Sequence, residues 1–120
     1  MAKILTIDDS LTMCKMIEAF LLNAGHEVTI ALGPREALEI ARTETFDLVL
    51  CDINMPEMTG ISLVSKLRRM PAFEYIPIIM VTTENSDYKK EKAKTTGATG
   101  WLQKPVSEER LLKAVNKLTG

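Results

Sequence analysis

This sequence predicts an α/β fold, a five-stranded parallel sheet with helices on both faces, and three observations lead there. Short apolar runs alternate strictly with longer amphipathic ones, five of each, along 120 residues. One of them, Leu48-Val49-Leu50-Cys51, is apolar without a break, the pattern of a strand buried on both faces. The links between runs are short, and strand–helix–strand repetition with short links implies parallel pairing and right-handed crossovers.

The first strand is Ile4-Leu5-Thr6-Ile7. The amphipathic stretch 10–24 follows, with Leu11, Cys14, Ile17, Leu21 and Ala24 on one stripe, Ser10 as N-cap and Gly25 just past the end. Residues 27–31 alternate around Val28 and Ile30 as a short second strand. Pro34 suits the first position of a second helix reaching about Thr43, with Ala37, Leu38, Ile40 and Ala41 inward. After the third strand, residues 55–60 form a loop and 61–70 a third helix. Ile78-Ile79-Met80-Val81-Thr82 is the fourth strand, entered from Pro77. A fourth helix spans roughly 86–96 and closes at Gly97. A fifth strand at about 100–103 precedes Lys104-Pro105, and a last helix starts from the N-cap Ser107 with Leu111, Leu112, Val115 and Leu118 inward.

Composition narrows the class. Hydrophobic residues make up 46% and charged residues 26%, which suits a packed globular domain and not a disordered chain. The expectation is one domain over 1–120 with no output domain. A net charge of -1 offers no basic excess to neutralise nucleic-acid phosphates, so no nucleic acid is expected as partner. Cys14 and Cys51 form no C-x-x-C pair and there is a single histidine, which argues against a zinc cage and for two buried thiols in a reducing cytoplasm. No run approaches a membrane span, so the chain is expected to be cytoplasmic, without membrane insertion.

Ligands of open parallel α/β sheets bind at the carboxyl ends of the strands. Strand one ends in Asp8-Asp9, strand three in Asp52, strand four in Thr82-Thr83 and strand five in Lys104. If strands one and three are neighbours, about 4.8 Å apart, their carboxylates repel and call for a cation. Mg²⁺ suits one or two carboxylates plus water and phosphate. One carboxylate can then act as nucleophile and become an aspartyl-phosphate, with a lysine and a threonine hydroxyl contacting the phosphate oxygens. Each residue also has a plainer reading. Asp8 or Asp9 can cap the first helix, Asp52 can simply close a strand, and Lys104 can sit in a surface turn. Four strand ends bearing phosphate-site chemistry together favour the site.

At these residues the sequence resembles the receiver domains of two-component response regulators, especially the stand-alone chemotaxis members. The resemblance covers nearly the whole chain: Asp8-Asp9-Ser10 with Thr12-Met13, Asp52-Ile53-Asn54-Met55-Pro56, Met80-Val81-Thr82, Gly97-Ala98-Thr99-Gly100 and Lys104-Pro105. It implies the flavodoxin-like strand order 2-1-3-4-5 and a cis Lys104-Pro105 bond. It further implies Asp52 as phosphoryl acceptor from a histidine kinase. Mg²⁺ is then held by Asp9, Asp52 and the Asn54 backbone carbonyl, with Asp8 assisting through water. Thr82 and Lys104 contact the phosphoryl group. Thr82 and Trp101 form the switch, which alters the face of helix four, strand five and helix five for a downstream protein. A monomer, chemotaxis or a related pathway, and no separate substrate turned over complete the implication. Asn54 and Glu84 match polar residues near the attacking water and imply a short-lived phosphoryl group. Trp101 stands where the family often has Tyr or Phe, Thr59 where Asp commonly precedes the glycine, and Val106 where Phe commonly follows. Trp101 could also be a half-buried anchor that only packs.

Rival classes fare worse. A phosphohydrolase using an aspartyl-phosphate wants Asp-x-Asp, and Asp52 is followed by Ile53-Asn54. A flavodoxin-like cofactor carrier wants a Ser/Thr/Gly phosphate loop where Asp8-Asp9 stands. A binding-only pseudo-receiver would not need the acidic residues that are all present here.

Overall fold

The structure, a computed structural model, describes residues 1–83 and 87–119, the side chain of residue 88 excepted. The elements are β1 (Lys3–Ile7), α1 (Leu11–Asn23), β2 (Glu27–Ala31), α2 (Pro34–Thr43), β3 (Leu48–Cys51), α3 (Gly60–Arg68), β4 (Ile78–Thr82), α4 (Asp87–Thr96), β5 (Gly100–Gln103) and α5 (Glu108–Thr119). All strands run parallel in the order β2-β1-β3-β4-β5, with β1 and β3 adjacent as expected.

Side chains alternate across a strand, so each central strand feeds two cores. Leu5, Val49, Cys51 and Met80 point to the side holding Ala37 and Ala41 of α2 and Leu63, Val64 and Leu67 of α3. Ile4, Leu48, Leu50, Ile79 and Val81 point to the other, against Ile17 and Leu21 of α1 and Leu111 and Val115 of α5. Each fully buried Leu or Ile contributes about 1.5–3 kcal/mol by leaving water, so the central strands anchor the domain.

Helix boundaries follow the predicted signals closely; the differences lie in the inward stripe of α1 and in the ends of α3, which starts at Gly60, one residue earlier than expected. Ser10 Oγ accepts the Met13 N–H at 3.2 Å, and Gly25 takes φ 88°, the left-handed stop expected there. Leu11 and Ala24, placed on the inward stripe by periodicity, are exposed. A 13-residue helix is about 20 Å long against about 16 Å for a five-residue strand, so both helix ends overhang the sheet. The third helix stops at Arg68 and not at residue 70, because Pro71 forces the preceding residue out of the α region. Met70 is extended (φ -88°, ψ 129°), and Pro71–Phe73 make a single 3-10 turn.

Arg68 itself was not singled out by the sequence. Its guanidinium donates to the carbonyls of Phe73 (2.8 Å), Ile76 (2.6 Å) and Gly97 (2.7 Å), tying the end of α3 to the end of α4. Residue 86, the expected first residue of the fourth helix, lies outside the described residues. Lys104-Pro105 is cis.

Candidate functional site

The sheet ladders themselves carry the acidic residues to one place. Hydrogen bonding continues one step past each strand end: Asp8 N–H donates to Ala31 O (3.1 Å), Asp52 N–H to Ile7 O (2.9 Å) and Lys104 N–H to Thr82 O (2.9 Å). Backbone pairing, and not side-chain affinity, thus fixes where these groups sit. Carboxylate oxygens of Asp8, Asp9 and Asp52 lie within 4.8 Å of one another. Asp8 and Asp52 are buried and Asp9 is exposed, so the cluster opens to solvent on the Asp9 side.

Lys104 leans across this cluster from the β5 end. Its Nζ is 2.7 Å from Asp8 Oδ2 and 3.5 Å from Asp52 Oδ1. The expected proximity to Asp52 is present, while the shorter contact is to Asp8. Asp8 serves two elements at once, because its Oδ1 also accepts the Ser10 N–H at 2.9 Å. The capping alternative is thus partly right: Asp8 shapes the turn into α1, Ser10 is the N-cap, and Asp8 still belongs to the cluster. Asp52 Oδ1 accepts the Ile53 N–H at 2.9 Å.

Burial, followed by the charge of Asp8, holds the Asp52 carboxyl above its ordinary range; Lys104 and the Ile53 N–H pull the other way and do not fully compensate. For Lys104, burial alone would lower the ammonium. The hydrogen bond to Asp8 and the charges of Asp52 and Asp8 outweigh it, and the net displacement is upward. These opposed pulls mark a site short of positive charge. Three carboxylates facing one ammonium, open on one side, have the donor set and the charge deficit that suit a hard divalent cation.

Cys14 and Cys51 are buried free thiols behind the cluster, as expected. Burial pushes the Cys14 thiol up to about 11 and Cys51 well upward too, with neighbouring carboxylates adding to both. Such thiols are inert structural groups.

Thr82, fully buried, ends β4 on the same sheet edge as Asp52, since Cys51 pairs with Met80 in the register. Trp101 lies farther back on β5 opposite Met80 and is half-buried. Its indole N–H is buried and has no hydrogen-bond partner among the described residues. Asn54 is exposed, two residues beyond Asp52. Glu84, expected near the attacking water, lies outside the described residues.

One residue of the site was missed from the sequence. Gly60, the first residue of α3, donates its N–H to Ile53 O at 2.7 Å. A Cβ there would overlap the Asp52 carbonyl, 2.8 Å from Asp52 C and 2.9 Å from Ile53 Cα. Only glycine lets α3 approach the Asp52 backbone this closely. The available signal was a glycine directly after Thr59, the N-cap whose Oγ1 accepts the Ser62 N–H.

Comparison with known proteins agrees with this geometry. The profile described as the response regulator receiver domain matches residues 4–116. The chain is 40% identical to Protein PilH of Pseudomonas aeruginosa, over 97% of this chain and 96% of PilH. Its fold matches the Vibrio cholerae chemotaxis protein CheY4 with a TM-score of 0.95 at 44% identity, covering 98% of each chain. It also matches the receiver domain of the sensor histidine kinase PA1611 from Pseudomonas aeruginosa, solved with a magnesium ion coordinated in its active-site cleft. That match has a TM-score of 0.90 and 25% identity, and covers 99% of this chain and 98% of the other.

Proposed function

The chain belongs to the response regulator receiver domain family, and from that premise we propose that Asp52 accepts a phosphoryl group from a histidine kinase, with Mg²⁺ bound beside it. The observation that carries this reading is the convergence of Asp8, Asp9 and Asp52 under Lys104, from three separate strand ends. Receiver domains bind Mg²⁺ at such an acidic site. The residues that would hold it here are Asp9 and Asp52 by their carboxylates and Asn54 by its backbone carbonyl, with Asp8 assisting through water. When bound, Mg²⁺ supplies charge neutralisation for the approaching phosphoryl oxygens.

The chain's own groups do the rest. An Asp52 carboxylate oxygen attacks phosphorus; the new O–P bond forms as the P–N bond of the kinase phosphohistidine breaks, and the departing imidazole keeps the electron pair and takes up a proton. Lys104 shifts toward the new phosphoryl oxygens, which offer more negative charge than Asp8 does, and Thr82 donates its hydroxyl to the same group. As Thr82 is drawn in, Trp101 follows. Its indole N–H, buried without a partner among the described residues, favours the change, because a buried unsatisfied donor costs about 1–3 kcal/mol that the ring regains if it turns to meet an acceptor or water. The face of α4, β5 and α5 is then remodelled for a downstream protein. The only phosphoryl group the domain handles is its own, and it works as a cytoplasmic monomer in chemotaxis or a related pathway. No described helix is long and apolar enough to cross a membrane.

The test uses a small phosphodonor and Mg²⁺ while Trp101 fluorescence is followed. A metal-dependent change that reverses spontaneously is expected, and none in Asp52→Ala. An undiminished response in that variant would mean the acceptor lies elsewhere. Lys104 gives a second test. Its ammonium competes with a cation for the same carboxylates, so Lys104→Met is expected to bind Mg²⁺ about tenfold more tightly while losing most phosphoryl-dependent fluorescence change. Calorimetric titration with Mg²⁺ reads the first effect, and equal affinities would show that the lysine's charge does not reach the metal position.

A further inference from the structure

A groove runs between α2 and the loop 56–58, at the opposite edge of the sheet from β5. Its larger part, about 600 Å³, reaches Asp9 and so meets the open side of the acidic cluster. A continuation of about 250 Å³ shares Pro34, Arg35, Glu39 and Glu57 with it and adds Leu38, Arg42 and Met58. The apolar part of the lining is Leu32, Pro34, Leu38, Pro56 and Met58. Leu32 is 40% exposed, an apolar side chain that the fold leaves uncovered at the rim.

The charge around this lining is one-sided. Asp9, Glu36, Glu39 and Glu57 border the larger part against a single cation, Arg35. Glu36 is held at the start of α2, where it accepts the Leu32 N–H at 3.2 Å. Among the described residues Glu39 and Glu57 make no ion pair, although Arg35 precedes Glu39 by about one helical turn. Glu57 is exposed and has φ 72°, a left-handed conformation uncommon for any residue but glycine. A complementary surface is cationic where it meets these carboxylates and aliphatic where it meets Leu32, Leu38 and Met58. A nucleic-acid backbone or an acidic peptide would be repelled here. An inorganic cation would leave the apolar lining in water.

We propose that the groove between α2 and the loop 56–58 docks a basic amphipathic segment of a partner protein, its Lys or Arg side chains meeting Glu39 and Glu57 and its aliphatic side chains resting on Leu32, Leu38 and Met58. The segment lies beside the opening of the acidic cluster. Its docking uses none of the α4, β5 and α5 face and does not depend on Asp52 taking a phosphoryl group.

The test pans a random peptide library against the full chain and maps the selected peptides by their effect on backbone amide chemical shifts. Expected are peptides in which Lys or Arg is interleaved with Leu, Ile or Met, shifting amides within 32–42 and 56–58. Their binding should weaken as salt rises and fall at least about tenfold for Glu39→Lys/Glu57→Lys. Leu32→Ser changes one exposed apolar side chain and no charge, and should lose at least about threefold. Thermal melts of both variants should match the wild type, which reports that they fold. Enrichment without basic residues, no enrichment at all, shifts confined to α4, β5 and α5, or affinity retained in both variants overturns the proposal.

Discussion

Asp52→Asn is expected to take up no measurable phosphoryl group from a small phosphodonor with Mg²⁺, and yet to melt at a higher temperature than the wild type at neutral pH in metal-free buffer. The two effects share one cause. As the proposed acceptor, Asp52 must be an ionised carboxylate to attack phosphorus, and its burial beside Asp8 makes that ionised form unfavourable in the folded state. The amide keeps the shape and removes the nucleophile together with the repulsion. Lys104 retains its 2.7 Å partner Asp8, so no buried ammonium is stranded.

The sign of the pH dependence follows. Asp52 has its folded-state titration raised, so its contribution is favourable while the carboxyl is protonated and is lost as pH rises through that raised value. The melting advantage of Asp52→Asn should be small in acid, where both side chains are neutral, and open as pH climbs above the ordinary carboxylate range. Each kcal/mol corresponds to roughly 3–6 °C in a domain of this size, well within reach of a thermal melt. A variant that melts below the wild type at neutral pH would show that Lys104 overcompensates the repulsion.

Gly60→Ala is expected to cost about 2–3 kcal/mol and to slow phosphoryl uptake by about a hundredfold, the penalty for misplacing a reacting group by about an ångström. Helix propensity alone predicts the opposite, since alanine is favoured over glycine by about 1 kcal/mol inside a helix. Contact decides the sign. The new methyl meets backbone atoms of Asp52 and Ile53 closer than 3.0 Å, and backbone cannot rotate away as a side chain would. Either α3 shifts outward or the Asp52 backbone moves. Gly33→Ala is the control, because its backbone is extended (φ 170°) and nothing lies within 4 Å of the added methyl. Thermal melts of the pair, with uptake rates for Gly60→Ala, check this. Equal melting of the two variants would remove Gly60 from the site.

Much of this protein is legible in its sequence because the relevant physics is local. Alternating apolar runs, Ser10 and Ser107 as caps and Gly25 as a stop place every strand and α-helix among the described residues to within a few residues, while the 3-10 turn Pro71–Phe73 was not foreseen. The strand-end rule then picks out Asp8, Asp9, Asp52, Thr82 and Lys104 before any coordinates exist. The strand order came from family resemblance, since no local pattern says which strands neighbour each other.

Tertiary structure alone decided the rest, because it depends on distances between segments remote in sequence. That Lys104 holds Asp8 more closely than Asp52 across 96 positions is a result of how two ladders end, and no spacing encodes it. That Arg68 gathers carbonyls from two further segments, and that Lys90 lies over Trp101, follow likewise from helix placement against the sheet. Gly60 is the sharpest case: its missing side chain matters only because α3 packs its first turn onto the Asp52 and Ile53 backbone. Sequence specified the groups and the order in which they arrive; packing set how close they come, and electrostatic and steric energies depend on that closeness.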